Sequence, residues 1–212
     1  MALLLHLGGA LLATSGPAPR LAYDGVLTLD GETVAVGAPL VVNAEGKTFS
    51  SADASLKRSG LPATTSGTDG LGAFSEVRST WAAGSTKLET AVRTYGDCLV
   101  FELHWPEGAS DTGGAGAAGG VVAGWPSLEL ADAERGYLAF GGRQLEDCFA
   151  APLEQLSQLP TGDGGGGPVA VFDKNGSSVV LSAASEFMSS AWARVGTPPS
   201  QSASSLQCID LF

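Results

Sequence analysis

Apolar and polar positions alternate with period two over three consecutive segments in the middle of the chain. In Phe74–Trp81, Phe74, Glu76, Arg78 and Thr80 fall on one side, and Ser75, Val77, Ser79 and Trp81 on the other. After Ala83-Gly84-Ser85 the pattern resumes, with Leu88, Thr90, Val92 and Thr94 on one face and Lys87, Glu89, Ala91, Arg93 and Tyr95 on the other. Gly96-Asp97 then leads to Cys98–Trp105, where Leu99, Phe101, Leu103 and Trp105 share a side. Alternation of this kind marks half-buried strands, and the short turns between the segments predict an antiparallel meander.

Two hairpin signals flank the meander. Asp30-Gly31 separates the apolar runs Val26–Leu29 and Glu32–Val36, and Asp173-Lys174-Asn175-Gly176 separates Val169–Phe172 from Ser178–Leu181. Both turns hold residues that tolerate positive φ. Further strands are expected at Leu40–Val42, Ser127–Leu130 and Gly136–Phe140. The polar remainder of residues 37–72 reads as a long loop, and the Gly/Ala-rich stretch 107–124 as a flexible insertion. Leu145, Phe149, Leu153 and Leu156 recur at helical spacing, which predicts one helical turn despite Pro152.

These elements predict an all-β fold, an antiparallel β-sandwich with long Gly-rich loops and at most one or two short helices. Val92, Phe101, Leu103, Phe140 and Val180 are expected in its core. Composition agrees: 44% of the 212 residues are apolar, only 16% are charged, and 30 glycines supply turns. The expected organisation is a secretory leader over 1–20, a sandwich over 21–195 and a mobile Pro/Ser-rich tail over 196–212. Residues 1–13 are apolar apart from His6, and Ala13, Thr14 and Ser15 offer a cleavage site, although no Lys or Arg forms a basic n-region. The stretch is too short to span a bilayer.

Charge narrows the partners. Eleven basic residues against twenty-two acidic ones give a net charge of −11, which repels phosphate backbones and anionic headgroups. Neither nucleic acid nor membrane is an expected partner. Secretion and the Asn175-Gly176-Ser177 sequon point to a secreted, endomembrane or vacuolar glycoprotein modified at Asn175.

Chemistry is sparse. Gly114-Ala115-Gly116-Ala117-Ala118-Gly119 matches a dinucleotide-binding fingerprint literally, but no strand immediately precedes it and no helix signal follows. Gly164–Gly167 lacks the Lys-Ser/Thr of a phosphate loop. With His104 the single histidine outside the leader, no metal site is expected, and three cysteines without a Cys-x-x-Cys pair read as small buried residues. No nucleophile motif occurs, so no catalytic residue is expected in this chain, and no cofactor. The twenty-two carboxylates leave open an enzyme working through dispersed acid pairs. Strand parity assigns Trp81 and Trp105 to the core, leaving Trp125 and Trp192 as candidates for stacking on a sugar.

Three stretches carry a resemblance. They are Glu89-Thr90-Ala91-Val92-Arg93-Thr94-Tyr95-Gly96-Asp97 with Leu99–Glu102; Gly124-Trp125-Pro126-Ser127-Leu128 leading to Arg135–Gly142; and Pro168–Asp173 followed by Val179–Ser182 and Phe187-Met188. In order and spacing they resemble the N-terminal β-sandwich of α-galactosidase and raffinose-synthase-like glycoside hydrolases of the family 36 type, over about residues 24–192. The resemblance implies a non-catalytic sandwich preceding a barrel that carries the two catalytic aspartates, neither of which matches a position here. The expected product is thus such a domain truncated before its barrel, with the barrel or a carbohydrate as partner. A patch at Phe187, Met188 and Trp192 is then expected to be exposed where the barrel would pack. The alternative is a free-standing secreted carbohydrate-binding or adhesion module.

Overall fold

The computed structural model describes residues 2–7, 20–112, 121–130, 135–140, 148–152, 168–175, 177–184, 190–193 and 205–211. In chain order the strands are β1 (Ala2–Leu7), β2 (Leu21–Tyr23), β3 (Val26–Leu29), β4 (Glu32–Gly37), β5 (Val41–Ala44), β6 (Lys47–Ser50), β7 (Leu56–Arg58), β8 (Ala63–Asp69) and β9 (Gly72–Ala83). They continue as β10 (Thr86–Thr94), β11 (Cys98–His104), β12 (Val121–Leu130), β13 (Gly136–Phe140), β14 (Cys148–Pro152), β15 (Val169–Phe172), β16 (Ser178–Ala183), β17 (Ser190–Ala193) and β18 (Ser205–Leu211). Among the described residues there is no helix.

The strands form two antiparallel sheets packed as a sandwich. The larger runs β14-β13-β15-β16-β1-β11-β10-β9-β7, with β8 also on β9. The smaller runs β17-β18-β12-β4-β3-β2, with β5 on β12 and β6 on β5. The meander stands as expected, with Val92 opposite both Val77 and Phe101. So does the hairpin at Asp30-Gly31, whose residues take φ of 53° and 85°, the left-handed pair that a two-residue hairpin turn of matching twist requires.

The main core brings Leu27, Leu29, Ala35 and Leu128 of the smaller sheet against Leu99, Phe101, Tyr137, Val171 and Leu181 of the larger. A second cluster gathers Leu40, Val42, Ala44, Leu56, Leu88 and Leu103, with Trp81 and Trp105 packed against it. The two clusters share Trp125 as a partly buried neighbour. Of the expected core residues, Phe101 and Leu103 are buried and Val92 packs against the main cluster. The side chain of Phe140 lies outside the described residues.

Several expectations are corrected. Val180 is half-exposed, while Val179 and Leu181 point inward. All three are apolar, so alternation alone selects no face; pairing with β15 at Val171↔Val179 and Val169↔Leu181 does. Within 37–72 the chain makes β5, β6, β7 and β8 rather than one strand and a long loop. β8, Ala-Thr-Thr-Ser-Gly-Thr-Asp, contains no large apolar residue yet pairs with β9 along its whole length. The stretch 107–124 ends in strand, because β12 begins at Val121. The helical turn expected near Leu145–Leu159 is replaced at Cys148–Pro152 by an edge strand on β13. That setting tolerates Pro152.

β1 occupies the middle of the larger sheet. Its residues pair with β11 from Ala2↔Glu102 to His6↔Cys98, and with β16 from Leu3↔Ala183 to Leu7↔Val179. Cleavage after Ser15 would remove the strand that joins the two halves of this sheet. The Pro/Ser-rich tail contributes β18, which pairs with β12 and β17.

Candidate functional site

The densest polar constellation lies on the outer face of the meander, turned away from the smaller sheet. Period two brings Glu76 and Arg78 of β9, Glu89 and Arg93 of β10 and Glu102 of β11 to this face. Ala91 sits opposite both Arg78 and Glu102, and its single methyl leaves the space the longer chains fill. Glu76 receives a hydrogen bond from each arginine, 2.9 Å from Arg78 Nε and 2.7 Å from Arg93 Nε. Glu102 bridges them again, 3.0 Å from Arg93 Nη1 and 3.8 Å from Arg78 Nη2. Glu89 lies 3.0 Å from Arg78 Nη1, and Asp69, at the end of β8, lies 3.7 Å from Arg93 Nη1.

Aromatic groups frame the arginine side. The Arg93 guanidinium stands 5.0 Å from the centroid of Phe74, and Tyr95 donates its hydroxyl to Asp69 at 2.7 Å. Phe74 packs in turn with Tyr95, Cys98 and Val100 in a small apolar cluster on this same face. Cys98 is a buried free thiol, its pKa pushed up by burial and then by Asp97.

Electrostatics follow from this geometry. Burial pulls the Glu76 carboxyl upward, but the hydrogen bonds and charges of Arg78 and Arg93 outweigh it and hold the group below the usual glutamate value. Tyr95 first, then the Leu71 amide, hold Asp69 low. The same contacts raise both arginines, with Glu76 the first cause in each. A general acid needs the opposite environment, one that raises a carboxyl toward neutrality. This face therefore presents fixed, paired charges, with four carboxylates around two guanidinium groups. Among the described residues no three His, Cys, Asp or Glu side chains converge as metal ligands.

A second feature is a shallow cleft of about 170 Å³ between two turns, lined by Leu29, Asp30, Glu32, Arg135, Asp173, Asn175 and Ser177. Asp173 Oδ1 accepts the amides of Asn175 at 2.8 Å and Ser177 at 3.0 Å, which ties the two ends of the sequon to one carboxylate. Asn175 itself is exposed.

The other candidates are placed as follows. Trp125 lies where the pairing of β12 with β18 shifts register, and its peptide bond to Pro126 is cis. Its ring meets Phe101 edge-on at 5.8 Å, and its Nε1 is buried without a partner among the described residues. It is thus wedged between the two cores rather than laid open on a face. Trp192 lies on β17, paired with Cys208 of β18, and Phe187 and Met188 fall outside the described residues. Trp81 donates to the buried Thr90 at 2.9 Å. His104 is exposed at the end of β11, as its parity implied. Both glycine runs, 114–119 and 164–167, lie outside the described residues.

The ionic face was partly legible. Alternation lists Glu76 with Arg78 and Glu89 with Arg93 on common sides, yet choosing Glu102 and Asp69 as their partners requires the register across four strands. No helix among the described residues is long and apolar enough to cross a membrane. Comparison with known proteins returns no matching family model, no matching curated protein and no matching solved structure.

Proposed function

We propose that this chain is a non-catalytic β-sandwich domain of a glycoside-hydrolase-like protein of the α-galactosidase and raffinose-synthase type, acting beside a catalytic barrel carried elsewhere. The observation that supports this reading best is the state of the carboxylates on the meander's outer face. Each of the four pairs with Arg78 or Arg93, and Glu76 and Asp69 are held low in pKa, an arrangement suited to a rigid surface and not to acid–base turnover. Trp81, Trp105 and Trp125 pack against the cores, which also fits a structural domain more closely than an aromatic sugar platform.

The test is direct. Purified chain incubated with a chromogenic α-galactoside should release no chromophore, and titration with galactose or raffinose should leave its spectra unchanged. Hydrolysis that survives repurification and disappears in Glu76→Gln would overturn the proposal.

One observation favours the second reading, a carbohydrate-binding or adhesion module. Phe74, Arg93, Tyr95 and Asp69 set a ring beside hydrogen-bonding groups on one open sheet face. Saturable sugar binding lost in Phe74→Ala would select that reading. Residence in the secretory or vacuolar route, with a glycan on the exposed Asn175, belongs to the same proposal. A mass shift removed by an amide-cleaving glycosidase and absent in Asn175→Gln would support it, and sequencing of the mature N-terminus would show whether β1 is retained.

A further inference from the structure

The free edge of the larger sheet is built from β7 and β8, which follow one another along the same side of β9. β7 covers Trp81–Ala83, and β8 covers Gly72–Arg78. Among the described residues β8 pairs with β9 alone, and all its residues but Gly67 are exposed. Free edges are ordinarily blunted by lysine, proline, a bulge or a covering segment. Ala63–Asp69 has no lysine and no proline, runs seven residues in unbroken register, and is rich in threonine.

The exposed apolar residues concentrate beside it. Leu61, just before β8, is 90% exposed; Leu71, in the β8–β9 turn, is 61% exposed; Val77, opposite Thr64, is 45% exposed.

We infer that β8 is a self-pairing edge that joins two copies of this chain through an antiparallel Ser66↔Ser66 contact. Ser66 is the midpoint of the strand, and a two-fold axis there sets Thr64 against Thr68 and Ala63 against Asp69 of the second copy. Each position then meets one of its own parity, so the outward-pointing N–H and C=O groups of one copy face those of the other. Hydroxyl faces hydroxyl, a favourable cross-strand pairing, and no like charges are opposed.

The ends of the edge complement one another as well. Lys57 and Arg58, exposed on β7, lie beyond its first end, and Asp69 closes its second, so antiparallel pairing turns the basic end of each copy toward the acidic end of the other. The same symmetry carries Leu61 toward Leu71 of the second copy, bringing together the two most exposed large apolar side chains among the described residues. An isologous contact of this kind closes on itself as a dimer.

The full-length chain is tested by sedimentation equilibrium and by oxidation of single cysteine variants. Wild type should sediment as a concentration-dependent dimer. Ser66→Cys should form a disulfide-linked dimer through residue 66, because opposed Cα atoms about 4.5–5.5 Å apart fall within disulfide reach. Thr68→Cys should not, since position 68 faces 64 and not itself. Ser66→Lys, which sets two ammonium groups against each other, should weaken self-association by roughly tenfold or more while leaving the β-sheet circular dichroism unchanged. A monomer at every concentration would overturn the inference. So would a dimer indifferent to Ser66→Lys, or cross-linking at 68 equal to that at 66.

Discussion

The two halves of the larger sheet are assembled in opposite ways. From β9 to β11 the partners are sequence neighbours, joined by turns of two or three residues, and each strand meets the next as it leaves the turn. Where β11 gives way to β16 the partners lie some eighty positions apart, and the strand between them, β1, comes from the far end of the chain. Local pairings leave their mark in composition, through alternation and turn residues. The joint between halves leaves none, because Ala-Leu-Leu-Leu-His-Leu reads equally as a leader or as a strand buried on both edges. Stability is expected to depend most on the joint that is least visible in sequence.

The largest effect should follow from removing that joint. Deletion of residues 2–7 leaves β11 and β16 with unpaired backbone groups along five positions each, and buried groups of this kind are costly to leave unmade. The deleted chain should lose its cooperative thermal transition by circular dichroism. A chain that still melts sharply at the wild-type temperature would show that the halves close on one another without β1.

Next comes the core, where the local half can be set against the distant one. Phe101 is fully buried among Tyr23, Trp125 and the main cluster, and Phe101→Ala should cost about 3–5 kcal/mol in denaturant unfolding. Leu181→Ala, inward on β16, should cost about 2–5 kcal/mol, while Val180→Ala beside it should cost no more than about 1 kcal/mol. Reversal of that order would mean that β16 pairs with β15 one residue out of register.

Sequence reading succeeded where side-chain parity and turn chemistry agreed. Leu99, Phe101 and Leu103 could be assigned inward because Glu102 and His104 mark the opposite parity as polar, and Asp30-Gly31 announced a turn that only residues tolerant of positive φ can make. It failed at β16, where Val179-Val180-Leu181 offers no contrast, and at β8, where a strand with no large apolar face is held by backbone pairing and a neighbour's register. It also missed the hairpin at Glu45-Gly46, with φ of 54° and 69°, because glutamate is a poor signal for that conformation. In the ionic face the charges were legible and their partners were not.

A smaller effect should come from the ionic face. Glu76→Ala removes the carboxylate that accepts the Nε bonds of both Arg78 and Arg93 and should cost about 1–3 kcal/mol. Because the folded Glu76 carboxyl is held below its unfolded value, its contribution is fully present above the usual glutamate range. It is lost as pH falls through the depressed folded value. Wild type and Glu76→Ala should therefore differ most near neutrality and converge in acid, in a series of urea melts from pH 7 downward. A constant gap across the series would assign the loss to packing instead of charge.

The smallest effect is expected at the β5–β6 turn, where one exposed carboxylate ties two hairpins of different sheets together. Glu45 accepts the amide of Ser85 at 2.8 Å and the hydroxyl of Thr86 at 3.1 Å, and its own amide donates to Ser110 O at 2.9 Å. Hydrogen bonds from Ser85, first, hold its pKa low. Gly84 of the β9–β10 turn takes a φ of 65°, which favours glycine there, and a Cβ at this position would also meet the tip of this carboxylate. Glu45→Asn separates the two demands on this residue. Asparagine accepts the positive φ of position 45 more readily than glutamate, but its shorter side chain cannot span to Ser85. Relief of backbone strain and loss of an exposed contact oppose each other, so the melting temperature should barely move. The amide of Ser85 should nonetheless exchange with deuterium markedly faster, since local opening of a turn is governed by the contacts that cover it and not by global stability. Unchanged exchange at Ser85 would mean that the Glu45 carboxylate does not protect the β9–β10 turn, and that the β5–β6 turn is held by its backbone bonds to Ser110 and Asp111 instead.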